Sequence, residues 1–254
     1  MRLARFDRPT FLERRWSYQP GQHVTAIQPT GGGKTYWLSQ LLQASGMPGV
    51  MLVMKPKDPE PARWTRILGY REVAHWPPPP RWPWQDKPAG YTLWPRQSLT
   101  DLDADEDLLQ REFGKALTHV YSHGNGIAFA DEVGGLCELR LQKQLKALWM
   151  RGRAMHAGLW CATQKPSGDQ GGPAVPTYLY SAASHLFLGY DPTKANRQRF
   201  SEIGGVDPAA VTDAVRQLRL IPVTANGITN YVSEQLHIMK GGRKGAYMCI
   251  VEPW

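Results

Sequence analysis

Apolar positions along this chain change rhythm in a regular order. His23-Val24-Thr25-Ala26-Ile27 is a short β-rich run that turns into a glycine-rich loop, and Trp37, Leu38, Leu41 and Leu42 then recur at helical spacing. Gly46-Met47-Pro48 stops that helix. Val50 to Met54 is continuously apolar between Pro48-Gly49 and Lys55-Pro56, as a strand buried on both faces must be. Asp101 to Tyr121 predicts a helix: Asp101, Asp103, Asp105 and Glu106 crowd its start, where the macrodipole favours them, and Leu109, Phe113, Leu117 and Val120 form one stripe. A strand follows at Ile127-Ala128-Phe129-Ala130, then a helix over Leu139 to Met150 with Leu141, Leu145, Leu148 and Trp149 on its buried side. Gly158 to Thr163 and His185 to Gly189 predict further strands, and Leu218–Val223 with Ala246–Val251 predict a hairpin at the sheet edge.

Strand alternating with helix implies an α/β fold with a mainly parallel sheet flanked by helices on both faces. The pattern divides the chain into an N-terminal arm (1–22), a core (23–215) and a C-terminal β extension of the same domain (216–254). Residues 76–96 interrupt the core with Trp76-Pro77-Pro78-Pro79-Pro80-Arg81-Trp82-Pro83-Trp84 and Trp94-Pro95. Proline cannot donate ladder bonds, so this Trp/Pro-rich insertion is expected in extended or polyproline form. Its tryptophans suit stacking on bases or on a partner, but a stiff loop needs an anchor, which favours packing on its own domain.

Composition adds limits. A length of 254 residues buries a sizeable core without disulfide staples. Cys137, Cys161 and Cys249 lie far apart with no CxxC spacing, so reduced thiols are expected and zinc is not; His119 and His123, four apart, lack a second pair of ligands. No apolar run approaches the roughly 20 residues of a membrane-spanning helix, and the basic start Met1-Arg2-Leu3-Ala4-Arg5 leads into no apolar signal core, so a soluble cytoplasmic protein is expected. The net charge of +8 suits a polyanionic partner, although many soluble proteins are basic for solubility alone.

The chemistry concentrates in four places. Gln28-Pro29-Thr30-Gly31-Gly32-Gly33-Lys34-Thr35 fits the phosphate-loop pattern G-x-x-x-x-G-K-[ST] between a strand and a helix, except that Gln28 holds the place of the first glycine. Pro29, Thr30, Gly31, Gly32, Gly33, Lys34, Thr35 and Tyr36 are therefore the expected nucleotide-binding segment, with Lys34 at the outer phosphates and the Thr35 hydroxyl on Mg²⁺. Four apolar residues followed by Asp131 and Glu132 read as a Walker B strand. Asp131 would hold the metal and Glu132 would polarise the attacking water as general base, which a kinase for a small acceptor has no need of. Gln164, after the Gly158–Thr163 strand, can contact the γ-phosphate or water if that strand lies between the other two. Arg151 and Arg153 are candidates for an arginine finger acting on a neighbouring subunit, or equally two solvated arginines at a helix C-terminus; Arg197 and Arg199 are weaker candidates. Arg140, Lys143 and Lys146 share one side of the helix after Glu132 and either face DNA or form a solvated face.

With these motifs in place, the sequence resembles the FtsK/HerA superfamily of DNA-pumping ATPases. Pro29 to Thr35, Ala130-Asp131-Glu132, and Arg151-Gly152-Arg153 through Gly158-Leu159-Trp160-Cys161-Ala162-Thr163-Gln164-Lys165-Pro166 carry the likeness over roughly residues 20–205. The resemblance implies a RecA-like (ASCE) P-loop core with an extra strand between the Walker strands, ATP and Mg²⁺ as cofactors, and a homo-oligomeric ring, hexameric or pentameric. It further implies movement of double-stranded DNA through the ring. The small size is most similar to viral genome-packaging ATPases, which points to a capsid or portal-vertex partner in the host cytoplasm or the virion. Alternatives are a Zot-like virion-extrusion ATPase at a membrane, a plasmid or conjugative DNA-transfer ATPase, and a nucleoside or other small-molecule kinase.

Overall fold

Segments with no polar side become the centre of the sheet, since a strand covered on both faces must be apolar on both. The computed structural model describes residues 3–253 except 30, 81–85, 165–174, 177, 192, 194, 195, 197–199, 201–205, 226, 227, 243 and 244. The chain runs through β1 (Arg5–Phe6), α1 (Arg8–Arg14), β2 (Val24–Ile27), α2 (Lys34–Ser45), β3 (Gly49–Leu52), α3 (Glu60–Leu68), β4 (Tyr70–Val73) and β5 (Gly90–Leu93). It continues with α4 (Leu102–His123), β6 (Gly126–Ala130), α5 (Val133–Glu138), α6 (Gln142–Arg151), a 3-10 turn (Gly152–Met155), β7 (Ala157–Thr163), α7 (Tyr178–Ser181) and β8 (His185–Gly189). Last come α8 (Pro208–Arg216), β9 (Leu220–Ala225), β10 (Ile228–Ser233), β11 (Gln235–Gly242) and β12 (Gly245–Val251).

Ten strands form one mixed, mainly parallel sheet in the order β1-β12-β11-β8-β2-β7-β6-β3-β5-β4, and β9 pairs with β10 in a separate two-stranded ribbon. Successive residues of each strand feed opposite faces. In β7, Leu159 and Cys161 join the core under α4 and α6, while Trp160 and Ala162 join the core under α1 and α2. Helix α4 starts where expected: the Asp101 carboxylate accepts from the Ala104 N–H at 3.1 Å, and Leu109, Phe113, Leu117 and Val120 are buried.

Several elements differ from the sequence reading. The helix expected over Leu139–Met150 starts only at Gln142. Arg140 sits in the turn before it with φ +57°, so Arg140 shares no helix face with the exposed Lys143 and Lys146. Within 76–96, Gly90–Leu93 form β5, a strand of the main sheet between β3 and β4. Trp76 is buried edge-on against Tyr91 and His119, and the Trp94 indole N–H donates to Lys55 O, so these two anchor to their own domain; Trp82 and Trp84 lie outside the described residues. The C-terminal segment makes two hairpins, β9–β10 and β11–β12, in place of one joining Leu218–Val223 to Ala246–Val251.

Residues 3–22 contribute to both cores, Leu3 to one and Phe11 to the other. β1 pairs parallel with β12, and α1 seats a fully buried Phe11 against Trp37, Phe187 and His237. Phe11→Ala is expected to cost about 3–5 kcal/mol in a denaturant titration, as for a core aromatic. A change within about 0.5 kcal/mol would instead mark the segment as peripheral.

Candidate nucleotide-binding site

The loop after β2 is shaped by glycine. Gly31 and Gly33 have φ of +81° and +85°, a region that side chains rarely adopt, and Gly33 is the N-cap of α2. No side chain caps that helix, so its first N–H groups and the positive end of its dipole face the loop. Thr30 lies outside the described residues.

Gln28 explains its own departure from the motif. Its buried side chain forms the floor of the loop: Nε2 donates to Gly32 O, and Oε1 accepts from Gln235 Nε2 at 2.8 Å. A Cβ added at Gly32 would fall 1.9 Å from Gln28 Nε2, and one at Gly189 would fall 2.4 Å from Gln28 Cγ. A large side chain is thus accommodated by glycines on either side of it. Lys34 Nζ donates to Gln28 O at 2.7 Å and Pro29 O at 3.3 Å. Burial holds its pKa below the usual lysine value, opposed by the charges of Asp131 and Glu132.

Sheet order brings the second motif to the first. β7 lies between β2 and β6, in register Ile27↔Thr163 and Ala130↔Cys161, so the carboxyl ends of all three strands meet. There the Thr35 Oγ1 hydroxyl donates to Asp131 Oδ1 at 2.6 Å. Glu132, next along the chain, accepts from the Gly134 N–H and the Thr163 hydroxyl, and burial raises its pKa above the ordinary carboxylate value despite these bonds and the Lys34 charge. Gln164 follows Thr163 at the end of β7 and is exposed. A hydroxyl and a carboxylate oxygen side by side, below uncapped amides and a lysine, match what a hard cation and a polyphosphate need.

Other expected residues lie elsewhere. Arg151 ends α6 and Arg153 lies in the 3-10 turn before β7, at the amino end of that strand and so opposite the glycine loop; Arg151 lies over the Tyr121 ring with its guanidinium carbon 5.5 Å from the centroid. The strand between them and the glycine loop spans roughly 20 Å at about 3.3 Å per residue, so neither reaches this chain's own loop. Arg197 and Arg199 lie outside the described residues. The Tyr36 ring has the Arg63 and Arg8 guanidinium carbons 4.6 and 5.5 Å from its centroid, and burial holds the Arg8 pKa at about 10. Sequence reasoning missed Arg8, Arg63, Gln235 and the contact of Thr163 with Glu132. Only Gln28, a large residue at a glycine position, gave a signal.

No family model and no curated protein sequence matches the chain. Solved structures do share its fold. The genome packaging NTPase B204 from Sulfolobus turreted icosahedral virus 2, in complex with AMPPCP, superposes with a TM-score of 0.58 at 12% identity, covering 93% of this chain and 100% of that chain. Its complex with AMP gives 0.57 at the same identity and coverage. The crystal structure of B204, described as the DNA-packaging ATPase from Sulfolobus turreted icosahedral virus, gives 0.55 at 12% identity over 93% and 100% of the two chains.

The chain has the RecA-like P-loop NTPase fold. In this NTPase fold the strand between the two Walker strands is β7, as the resemblance implied. Among the described residues no helix is long and apolar enough to cross a membrane.

A half-buried carboxylate with a raised pKa, as Glu132 has, costs stability wherever it is charged, that is, above its unfolded pKa. Glu132→Gln is therefore expected to melt higher than the parent chain at pH 8. The gap should close as the pH falls toward about 4, where the unfolded carboxylate itself protonates. Melting curves across pH check this; a lower melting point at pH 8 would contradict it.

Proposed function

We propose that this chain is an ATP-hydrolysing double-stranded DNA translocase that packages a viral genome as a ring of identical subunits. The observation that carries the reading is the 2.6 Å contact of Thr35 with Asp131, with the half-buried Glu132 next to it in the chain. Those groups suit the outer phosphates of a triphosphate seated on the Pro29–Tyr36 loop. Lys34 would neutralise those phosphates, and Thr35 with Asp131 would hold a magnesium ion. Magnesium, when bound, offsets negative charge on the β and γ oxygens.

Glu132 takes the proton of the attacking water, and its raised pKa brings its basicity closer to neutral pH. The Thr163 hydroxyl fixes the direction in which that carboxylate points, and Gln164 orients the water or senses the γ-phosphate. Arg151 and Arg153, remote from their own loop, act on the loop of a neighbouring subunit. The fold shared with B204 and the +8 charge support the DNA reading. Exposed Arg140, Lys143 and Lys146 are the proposed phosphate contacts, with a capsid or portal-vertex protein as further partner and the host cytoplasm or virion as the place of action.

Phosphate release measured with and without duplex DNA at low salt tests the proposal. Stimulation by DNA is expected, with Lys34→Ala inactive and Glu132→Gln slowed on the order of 10²–10⁴-fold. Activity indifferent to duplex DNA would remove the translocase reading. Mixing Lys34→Ala chains with Arg151→Ala/Arg153→Ala chains should restore hydrolysis that neither shows alone. No recovery on mixing means the arginines do not act across subunits.

A further inference from the structure

Arg8 is a cation in search of an anion. It opens α1, is only 8% exposed, and forms no ion pair or hydrogen bond with a described residue. Its guanidinium carbon lies 5.1 Å from the Trp37 ring centroid and 5.5 Å from that of Tyr36. Burial lowers its pKa to about 10, so it is charged at neutral pH. Ring faces offset part of the cost of desolvating a cation, but guanidinium N–H donors still call for oxygen acceptors. The neighbouring Asp7 is committed elsewhere: its carboxylate caps α1, accepting from the Thr10 N–H and the Thr10 hydroxyl.

Arg8 points at the opening turn of α2, whose amides also lack partners. The Trp37 N–H bonds Gly33 O at 3.0 Å, which leaves the amides of Lys34, Thr35 and Tyr36 without an acceptor inside the helix. Arg63 of α3 comes to the same Tyr36 ring, its guanidinium carbon 4.6 Å from the centroid. Separate helices thus bring guanidiniums to the first turn of a third.

Sheet order says which end of a bound polyphosphate this is. The Thr35–Asp131 contact, suited to the metal and outer phosphates, faces the β7 and β6 side of β2. α1 packs on the other side, where Phe11 meets Phe187 of β8 and His237 of β11. A polyphosphate lying along the loop amides and running away from its metal therefore runs toward Arg8, inner phosphate last.

Building on the reading of Pro29–Tyr36 as a nucleotide seat, we infer that Arg8 binds the α-phosphate of that nucleotide within the same chain. The paired non-bridging oxygens of an α-phosphate match the donors of a guanidinium fork, a fit that a lysine does not reproduce. Helix α1 is then a wall of the site, and the N-terminal arm carries a ligand that the glycine loop does not supply.

Displacement of a fluorescent ADP analogue from the full chain, with magnesium present, tests this against ADP, ATPγS and GDP. Arg8→Met keeps the packing on Trp37 and removes the charge. It should weaken all three nucleotides by one common factor of about 10–100, since each carries an α-phosphate. Arg8→Lys should recover part of that loss. Without nucleotide, Arg8→Met should melt no lower than the parent chain, because it removes an unpaired buried charge. Equal affinities in parent and Arg8→Met would overturn the inference, as would a lower melting point with affinity intact, which marks Arg8 as packing alone. A loss for ATPγS without one for ADP would place the guanidinium on the γ-phosphate, and a loss confined to one base would place it on the base; either overturns the assignment. Nucleotide bound equally by the parent and Lys34→Ala chains would sink the loop reading itself, and this inference with it.

Discussion

Thr35 and Asp131 are 96 residues apart in the chain, yet a 2.6 Å hydrogen bond joins them. Three neighbouring parallel strands impose that contact. β2 delivers the glycine loop, β6 delivers the acidic pair, and β7 sets the spacing between them, its own terminal Thr163 reaching Glu132. Packing on both faces fixes the register: sliding β7 by one residue would exchange Trp160 for Leu159 and Cys161 between the two cores. The geometry of the site is therefore a by-product of how the sheet excludes water.

That geometry works against ionisation. Burial disfavours the charge on Lys34 and the charge on Glu132 alike, and each is sustained in part by the other's opposite sign. Hydrogen bonds complete the arrangement: the Gln28 and Pro29 carbonyls accept from the Lys34 ammonium, while an amide and the Thr163 hydroxyl donate to Glu132. Groups tuned in this way store electrostatic free energy for chemistry at the expense of fold stability, the usual trade at reactive centres.

What could be read from the sequence follows from these same forces. β3, β6, β7 and β8 announce themselves because strands covered on both faces are apolar throughout. α4 is legible from its capping Asp101 and its single stripe, and the motif residues follow from spacing alone. β11 was hidden because it carries Gln235, His237 and Lys240; His237 is buried against His185, a polar pair that no apolar pattern reveals. β5 was obscured by the prolines around it. The β9–β10 pairing leaves only two residues between Ala225 and Ile228, and these are Asn226-Gly227, a strong hairpin signal that apolar spacing alone does not weigh. The turn at Arg140 was lost because Leu139 and Leu141 continue the helical rhythm on either side of it. Contacts such as Thr163 with Glu132 depend on register between distant strands, which no local pattern encodes.

The two outer strands of the main sheet have a consequence of their own. β1 is only two residues long, and its Arg5 is tied down to Glu234; at the far side β4 places Arg71 and Glu72 in mid-strand, with Glu72 paired to Arg96. Neither margin offers the long, uncharged row of amides that lets one sheet recruit another. Copies of this chain are thus kept from stacking into continuous fibrils through the margins of their main sheets.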